Sequence, residues 1–353
     1  MIIYVLNTNL ERIGAIDTFS SIIWTNRYYT YGDFELYLSA TDQNLSLLQE
    51  GYFLIREGYE NNAMIIDKIV ISTNIEEGNY LTVTGKCLKS IVYQRIIWNQ
   101  TNVSGQLESC INRLLNENLI NPENSSRQIA NFQNVNTLTT GISISAQYTG
   151  DNLGETIAAM CQNYGLGWDV QLDLDNGQFL FSLYKGTDRS YDQTETPYVI
   201  FSNEYENLLT TTYTYDKSNY RNVAKVAGEG EGIARKYVTI GNASGLSRYE
   251  EFVDARDVSS NEGEISASSY NNLLLERGNE KLAEVNFTEN FEGEVETNYT
   301  YTYGNDYFLG DIVEVINEYG IAASTRILEV IQSEDDSGIY TIPTFSNYIT
   351  KED

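Results

Sequence analysis

Asp173-x-Asp175-x-Gly177 is the first place in this sequence where residue types and spacing suggest chemistry. Alternating carboxylates ahead of a glycine could wrap a calcium ion, but an EF-hand sets its glycine one position later and needs a bidentate acid six residues beyond it. The spacing fails. The aspartates alternate instead with Trp168, Val170, Leu172 and Leu174, which is the wet face of a half-exposed strand. Gly228-Glu229-Gly230-Glu231-Gly232 follows the strand-like NVAKVAG and has the glycine density of a phosphate cradle. Such a cradle works through backbone N–H groups without nearby carboxylates, and neither the dinucleotide fingerprint nor a P-loop lysine follows. A mobile acidic loop at an interface or lumen edge fits better.

The chain has no histidine, which removes the commonest general base, proton shuttle and metal ligand near neutral pH. Neither a Ser-His nor a Cys-His pair can exist, and no G-x-S-x-G elbow occurs. Cys87, Cys110 and Cys161 are odd in number and spaced unlike any zinc or redox pair, so buried free thiols are expected. Paired carboxylates can hydrolyse glycosides, but with Asp and Glu totalling 50 no two stand out. No catalytic, cofactor-binding or metal-binding residue is assigned.

Lys and Arg number 22 against those 50 acids, for a formal net charge of -28. No segment offers the basic patch that nucleic-acid binding needs. The N-terminus lacks a basic region before an apolar core, and no stretch approaches the roughly 18 apolar residues that span a bilayer. Neither membrane insertion nor export through a signal peptide is expected.

The elements that would position any site are mostly strands. With 353 residues there is room for two or three domains. Tyr 28 and Phe 12, with only 3 Pro, suit a pleated surface. The run IIWTNRYYTYGDFELYL breaks at Tyr31-Gly32-Asp33, after which Phe34, Leu36 and Leu38 share one face. Further strands follow Gly51, joined through a turn at Glu76-Glu77-Gly78. A helix is expected from Ser104 as N-cap, with Leu107, Ile111, Leu114 and Leu115 on one stripe. A second starts at Asp151 and ends before Gly165, and Asp175-Asn176-Gly177 turns the next hairpin. A third helical stretch covers about Ser266 to Glu284, where Gly278 permits close approach of another backbone. The expected division is a first β-barrel domain at 1–99, an α+β domain at 100–212, and a second β-barrel domain at 213–353 with a helical insertion near 262–284.

The last β block echoes the first. Val70-Ile71-Ser72-Thr73 and Gly78-Asn79-Tyr80 align without a gap on Val330-Ile331-Gln332-Ser333 and Gly338-Ile339-Tyr340, and Ala63 then falls on Ala323. Two related barrels in one chain are expected.

IIWTNRYYTYGDFELYL, RIIWNQTN, VAGEGEG, VDARDVSSN and YFLGDIVEVINEYGI, in that order, together resemble the bacteriophage tail-tip and baseplate hub family, related to the N-terminal structural region of tail-associated lysins. The resemblance implies a mainly β fold with α+β insertions: two tube-like β-barrels plus smaller α+β domains, assembling into a ring. It implies a homotrimer adapting a sixfold tail tube to threefold parts and leaving a channel for DNA. The implied partners are the tail tube or a distal tail protein above, a spike, fibre or tail lysin below, and a tape-measure protein as a further candidate. The protein would be made in the host cytoplasm and sit at the distal end of the tail in the virion. Tail-associated lysins continue past this region, whereas the sequence ends at Asp353, which would leave wall cleavage and receptor contact to other polypeptides. Trp24, Tyr28, Tyr29, Phe34 and Trp98 are the candidates for core or subunit contacts. Carboxylates lining the lumen would let DNA slide without sticking. The alternatives are a carbohydrate-binding receptor protein of the tail tip, using tyrosine platforms, and a carboxylate-pair glycosidase.

Overall fold

The computed structural model describes residues 1–74, 78–295 and 300–347; Glu76, Glu77 and Asp353 lie outside them. Seven strands open the chain: β1 (Ile3–Leu6), β2 (Arg12–Ile16), β3 (Ser21–Arg27), β4 (Asp33–Ser39), β5 (Phe53–Arg56), β6 (Tyr59–Asn74) and β7 (Gly78–Cys87), with helix α1 (Asp42–Leu47) after β4. Their lateral order is β3-β4-β7-β6-β5-β1-β2, curled round a core that includes Trp24, Phe34, Leu36, Leu38, Met64 and Val83. The alternation of β4 explains its place: Phe34, Leu36 and Leu38 are buried while Glu35 faces water. Every residue of β5 is buried, because Leu54 faces this core and Phe53 and Ile55 face the next.

That next core belongs to the α+β unit: α2 (Ser90–Tyr93), β8 (Thr101–Gln106), α3 (Leu107–Leu115), β9 (Phe132–Asn134), β10 (Ser143–Tyr148), α4 (Leu153–Asn163), β11 (Gly167–Asp173) and β12 (Gln178–Tyr184). The apolar stripe of α3 is buried as expected, but Ser104 does not cap it. Ser104 sits inside β8 opposite Ser145, and the helix starts only after Gln106. Helix α4 is capped by Asn152, whose side chain accepts from the N–H groups of Gly154 and Glu155. Gly165, at φ +64°, then turns the chain into β11.

The remaining strands are β13 (Ile200–Ser202), β14 (Leu208–Asp216), β15 (Val223–Ala227), β16 (Tyr237–Ile240), β17 (Glu250–Asp254), β18 (Thr288–Val295), β19 (Ile312–Ile316), β20 (Ala322–Asp335) and β21 (Gly338–Asn347), with α5 (Ala267–Glu284) before β18. The expected border at 212 falls within β14, which pairs with β18. The insertion is larger than its helix, since β16-β15-β17 form a separate small sheet on which α5 packs. A Cβ at Gly278 would meet Val226 Cγ2 at 2.5 Å and Ile240 Cδ1 at 2.4 Å. The close approach expected there is therefore to side chains rather than to a backbone.

Strands β14-β18-β21-β20, with β19 beside β20 and β13 beside β19, form a second curled module around Phe201, Phe291, Tyr307, Val313, Ile327 and Phe345. It does not stand apart from the first. The C-terminal half of β20 pairs antiparallel with β3, from Glu329 opposite Arg27 to Asp335 opposite Ser21, so both modules share one 13-stranded sheet.

Candidate functional site: a duplicated sheet and its open edges

Strands β3-β4-β7-β6 of the first module match β14-β18-β21-β20 of the second. Across the first, Trp24 lies opposite Phe34, Phe34 opposite Gly85, and Gly85 opposite Ile66. Across the second, the row is Tyr213, Phe291, Phe345 and Ile327. The match continues one strand further: Gly51 N–H donates to the Ile66 carbonyl and Ile66 N–H to that of Tyr52, as Gly310 N–H donates to Ile327 and Ile327 N–H to Asp311. A β-bulge follows in both, at Ile66/Lys68 and at Ile327/Glu329. Packing is exchanged along the row: a large Trp24 with Gly85 in one module, a smaller Tyr213 with Phe345 in the other.

This geometry corrects the register of the sequence echo. Strands β6 and β20 end at Asn74 and Asp335, and their partners start at Gly78 and Gly338, so the second connection is one residue shorter. Val70 therefore matches Ile331, and core-facing Val330 matches Ile69, which packs on the first core. An ungapped alignment puts Val70 on Val330 and turns every side chain of the strand to the wrong face.

The joint between β20 and β3 is chemically specific. On one face Arg27 Nε donates to Glu329 Oε2 at 2.6 Å, and its Nη1 contacts Asp33 and the Tyr31 carbonyl. On the other, Arg56 Nη1 donates to Gln332 Oε1 at 2.8 Å while its guanidinium lies 4.6 Å from the Trp24 ring centroid. The Met1 ammonium pairs with Glu334 at 2.9 Å.

Eight strands run antiparallel in sequence across the sheet, β14-β18-β21-β20-β3-β4-β7-β6. Among the described residues both ends of this run are open: β14 pairs only with β18, and the Lys68–Asn74 half of β6 pairs only with β7. The solvent-facing side carries hydroxyl groups such as Thr82, Thr84, Ser72 and Thr212 beside Glu35. Of its cations, Arg27 and Lys86 are held in ion pairs, Lys86 with Asp67 at 3.6 Å, while Lys68 is exposed on the open half of β6.

The profile of the Siphovirus ReqiPepy6 Gp37-like protein family matches residues 2–345. The chain belongs to this family. No curated protein matches it. Solved structures share its fold from end to end at low identity, as expected of a family member whose fold outlasts its sequence. A tail protein of Neisseria meningitidis MC58 has TM-score 0.59 at 13% identity, with 98% of this chain and 96% of that chain covered. A 43 kDa tail protein of prophage MuSo2 from Shewanella oneidensis has TM-score 0.59 at 14% identity, covering 98% of each. Prophage tail protein gp18 of Listeria monocytogenes EGD-e has TM-score 0.55 at 13% identity, covering 98% of this chain and 94% of that one. The mainly β fold that the resemblance implied is thus the fold of phage tail proteins.

In this family member the five candidate residues fall in three settings. Trp24 and Phe34 belong to the first core, with ring centroids 6.1 Å apart. Tyr28 is buried where the two modules meet the α+β unit: its hydroxyl donates to the Gly165 carbonyl and accepts from Gly186 N–H, and Arg326 lies over its ring. Tyr29 is half-buried, its hydroxyl pushed up to about 12 by burial, and its carbonyl accepts from Trp168 Nε1 at 2.6 Å. Trp98 is 60% exposed, with Arg127 over its ring at 4.9 Å. Sequence reasoning missed Arg27, Arg56, Glu329 and Gln332, because the partners of the joint are 302 and 276 positions apart and nothing local marks them.

The tempting chemistry has structural explanations. Asp173 closes its hairpin by accepting from Asn176 N–H at 3.1 Å and Asn176 Nδ2 at 2.7 Å. The glycine-rich loop is tied at its base: Glu229 N–H donates to Tyr270 Oη at 2.8 Å, and its carboxylate accepts from Ser260 N–H. A cavity of about 460 Å³ lies between the modules and the α+β unit. Lys89 at its wall, whose ammonium burial pushes down, donates to the carbonyls of Arg27, Tyr28 and Thr30. That ammonium is spent on bracing the loop after β3. Cys87, Cys110 and Cys161 are buried free thiols, and among the described residues no three acidic or thiol groups converge on a metal site.

Proposed function

We propose that this chain is a non-enzymatic structural subunit of a phage tail tip, three copies of which close into a ring around a channel. The observation that carries the reading is the duplicated strand order within one chain, joined through β20 and β3. Three copies would present six similar modules to a sixfold tail tube or distal tail protein, and threefold symmetry to a spike, fibre or tail lysin below. The end-to-end fold shared with phage tail proteins supports this. The hydroxyl-rich face, with Arg27 and Lys86 already paired, suits a channel wall that offers phosphate little to grip. This replaces a simple row of carboxylates with paired charge as the reason DNA would slide.

Light scattering of the purified protein, with antibody labelling of tailed particles, tests the reading. A trimeric mass and label at the distal tip are expected; a monomer, with label elsewhere on the particle, overturns it. One observation favours the glycan-binding alternative: exposed Trp98 lines a cleft with Thr101, Glu117, Asn118 and Arg127. Glycan binding abolished by Trp98→Ala would support that second role.

A further inference from the structure

We infer that the open half of β6 in one copy pairs antiparallel with β14 of the next, repeating between copies the joint that β20 and β3 make within one. This deepens the ring reading and rests on it. The argument begins with the matched modules. Strand β20 corresponds to β6 and β3 to β14; among the described residues β20 and β3 meet inside the chain, and β6 and β14 do not. Among the described residues, the two equivalent edges are the ones left open at the ends of the eight-stranded run. A bare strand edge is a template for another strand. Because the run alternates direction through an even number of strands, its first and last members are antiparallel, as closure between copies requires.

The in-chain joint fixes the register. Glu329 opposite Arg27, Ile331 opposite Thr25 and Gln332 opposite Trp24 become Lys68 opposite Asp216, Val70 opposite Thr214 and Ile71 opposite Tyr213. Two independent features agree with this register. The ion pair of the in-chain joint reappears with its signs exchanged, Glu329–Arg27 becoming Lys68–Asp216; Asp216 uses Oδ1 to close the following turn through Ser218 N–H. The faces also agree, since Ile69 packs on the first core and Tyr213 on the second. The register places Ile69 opposite Tyr215 and Ile71 opposite Tyr213, all four on the core side. A slip of one residue would set core-facing side chains against the solvent face. Ile71, now 58% exposed, and Tyr215, 52% exposed, would both be covered. A head-to-tail contact of this kind is heterologous, and it closes when the rotation it repeats completes a circle.

The test is oxidative cross-linking of the full chain, read with its mass in solution. Val70→Cys with Thr214→Cys should give a covalent ladder ending at the full ring, since opposed residues of an antiparallel pair lie within disulfide reach. Thr25→Cys with Ile331→Cys, the in-chain equivalent, should cross-link without a ladder. Val70→Cys with Tyr213→Cys, one step out of register, should give none. The native thiols are buried and do not compete. Lys68→Asp or Asp216→Lys alone should weaken self-association about tenfold or more, and the two together should restore it. A ring of full mass without the 70–214 ladder overturns the edge pairing and leaves the tail-tip reading standing. A monomer without a ladder overturns both, and a ladder from the shifted pair overturns the register.

Discussion

The loop between β3 and β4 and the segment between β14 and β18 occupy the same place in the two modules, and both reach the α+β unit by different chemistry. The first is a short loop whose Tyr28 ring is wedged so tightly that a Cβ on Gly167 or Gly310 would meet it at 2.3 Å or 2.1 Å. The second has expanded into a small sheet and α5, and it docks through polar groups. Glu280 accepts from Tyr148 Oη, Glu276 accepts from Tyr164 Oη at 3.0 Å, and Arg277 reaches the Gln147 carbonyl at 3.3 Å. The matched strands thus provide the repeat, and the connections between them provide the asymmetry. Aromatic wedging makes one contact rigid, whereas the other holds ionisable groups out of water and is therefore sensitive to pH.

The largest expected effect breaks the aromatic side. Tyr28→Ala removes a fully buried ring and both hydrogen bonds of its hydroxyl, and should cost about 3–5 kcal/mol in urea unfolding. The polar side should respond to pH instead. Burial holds the Glu280 carboxyl at about 7, against an ordinary 4.5. As pH rises from the lower to the higher value, the unfolded chain gives up this proton first, so folding loses stability across that window and the loss is complete above it. Glu280→Gln, which can still hydrogen-bond to Tyr148, should be more stable than the parent by about 1–3 kcal/mol at pH 8 and equal to it near pH 4. Thermal melts of both proteins across that range would show it, and a pH-independent difference would contradict it. The smallest effect belongs to the joint: Arg27→Ala loses partly exposed ion pairs to Glu329 and Asp33 and should cost about 1 kcal/mol. Tyr28→Ala and Glu280→Gln combined should show additive stability changes if the two contacts act independently.

What the sequence made legible follows range of interaction. The alternation of Phe34, Leu36 and Leu38, the stripe on α3 and the turn at Gly177 are local, and each is where the pattern puts it. The repeat was visible too, but its register was not, because a single residue in the connection after β6 decides which face Val70 takes. Ser104 looked like a cap, yet Ser145 claims it for a strand. The edges that matter most, β6 and β14, carry no local signal at all; they are recognisable only once β20 is seen beside β3. Tyr28 is among the aromatic candidates for core or subunit contacts, but nothing in the sequence indicates that three parts of the molecule converge on it.

The pairing of β3 with β20 also sets a timetable for biosynthesis. Residues 21–27 leave the ribosome early, but the strand that covers their edge is completed only at Asp335. At about 5–20 residues per second, that edge waits roughly 15–60 s for its partner. During this interval a nascent first module displays the same kind of bare edge that two finished copies would use to join. Neighbouring chains on one messenger could therefore engage prematurely, and slower translation of the last third should lower the yield of correctly folded protein.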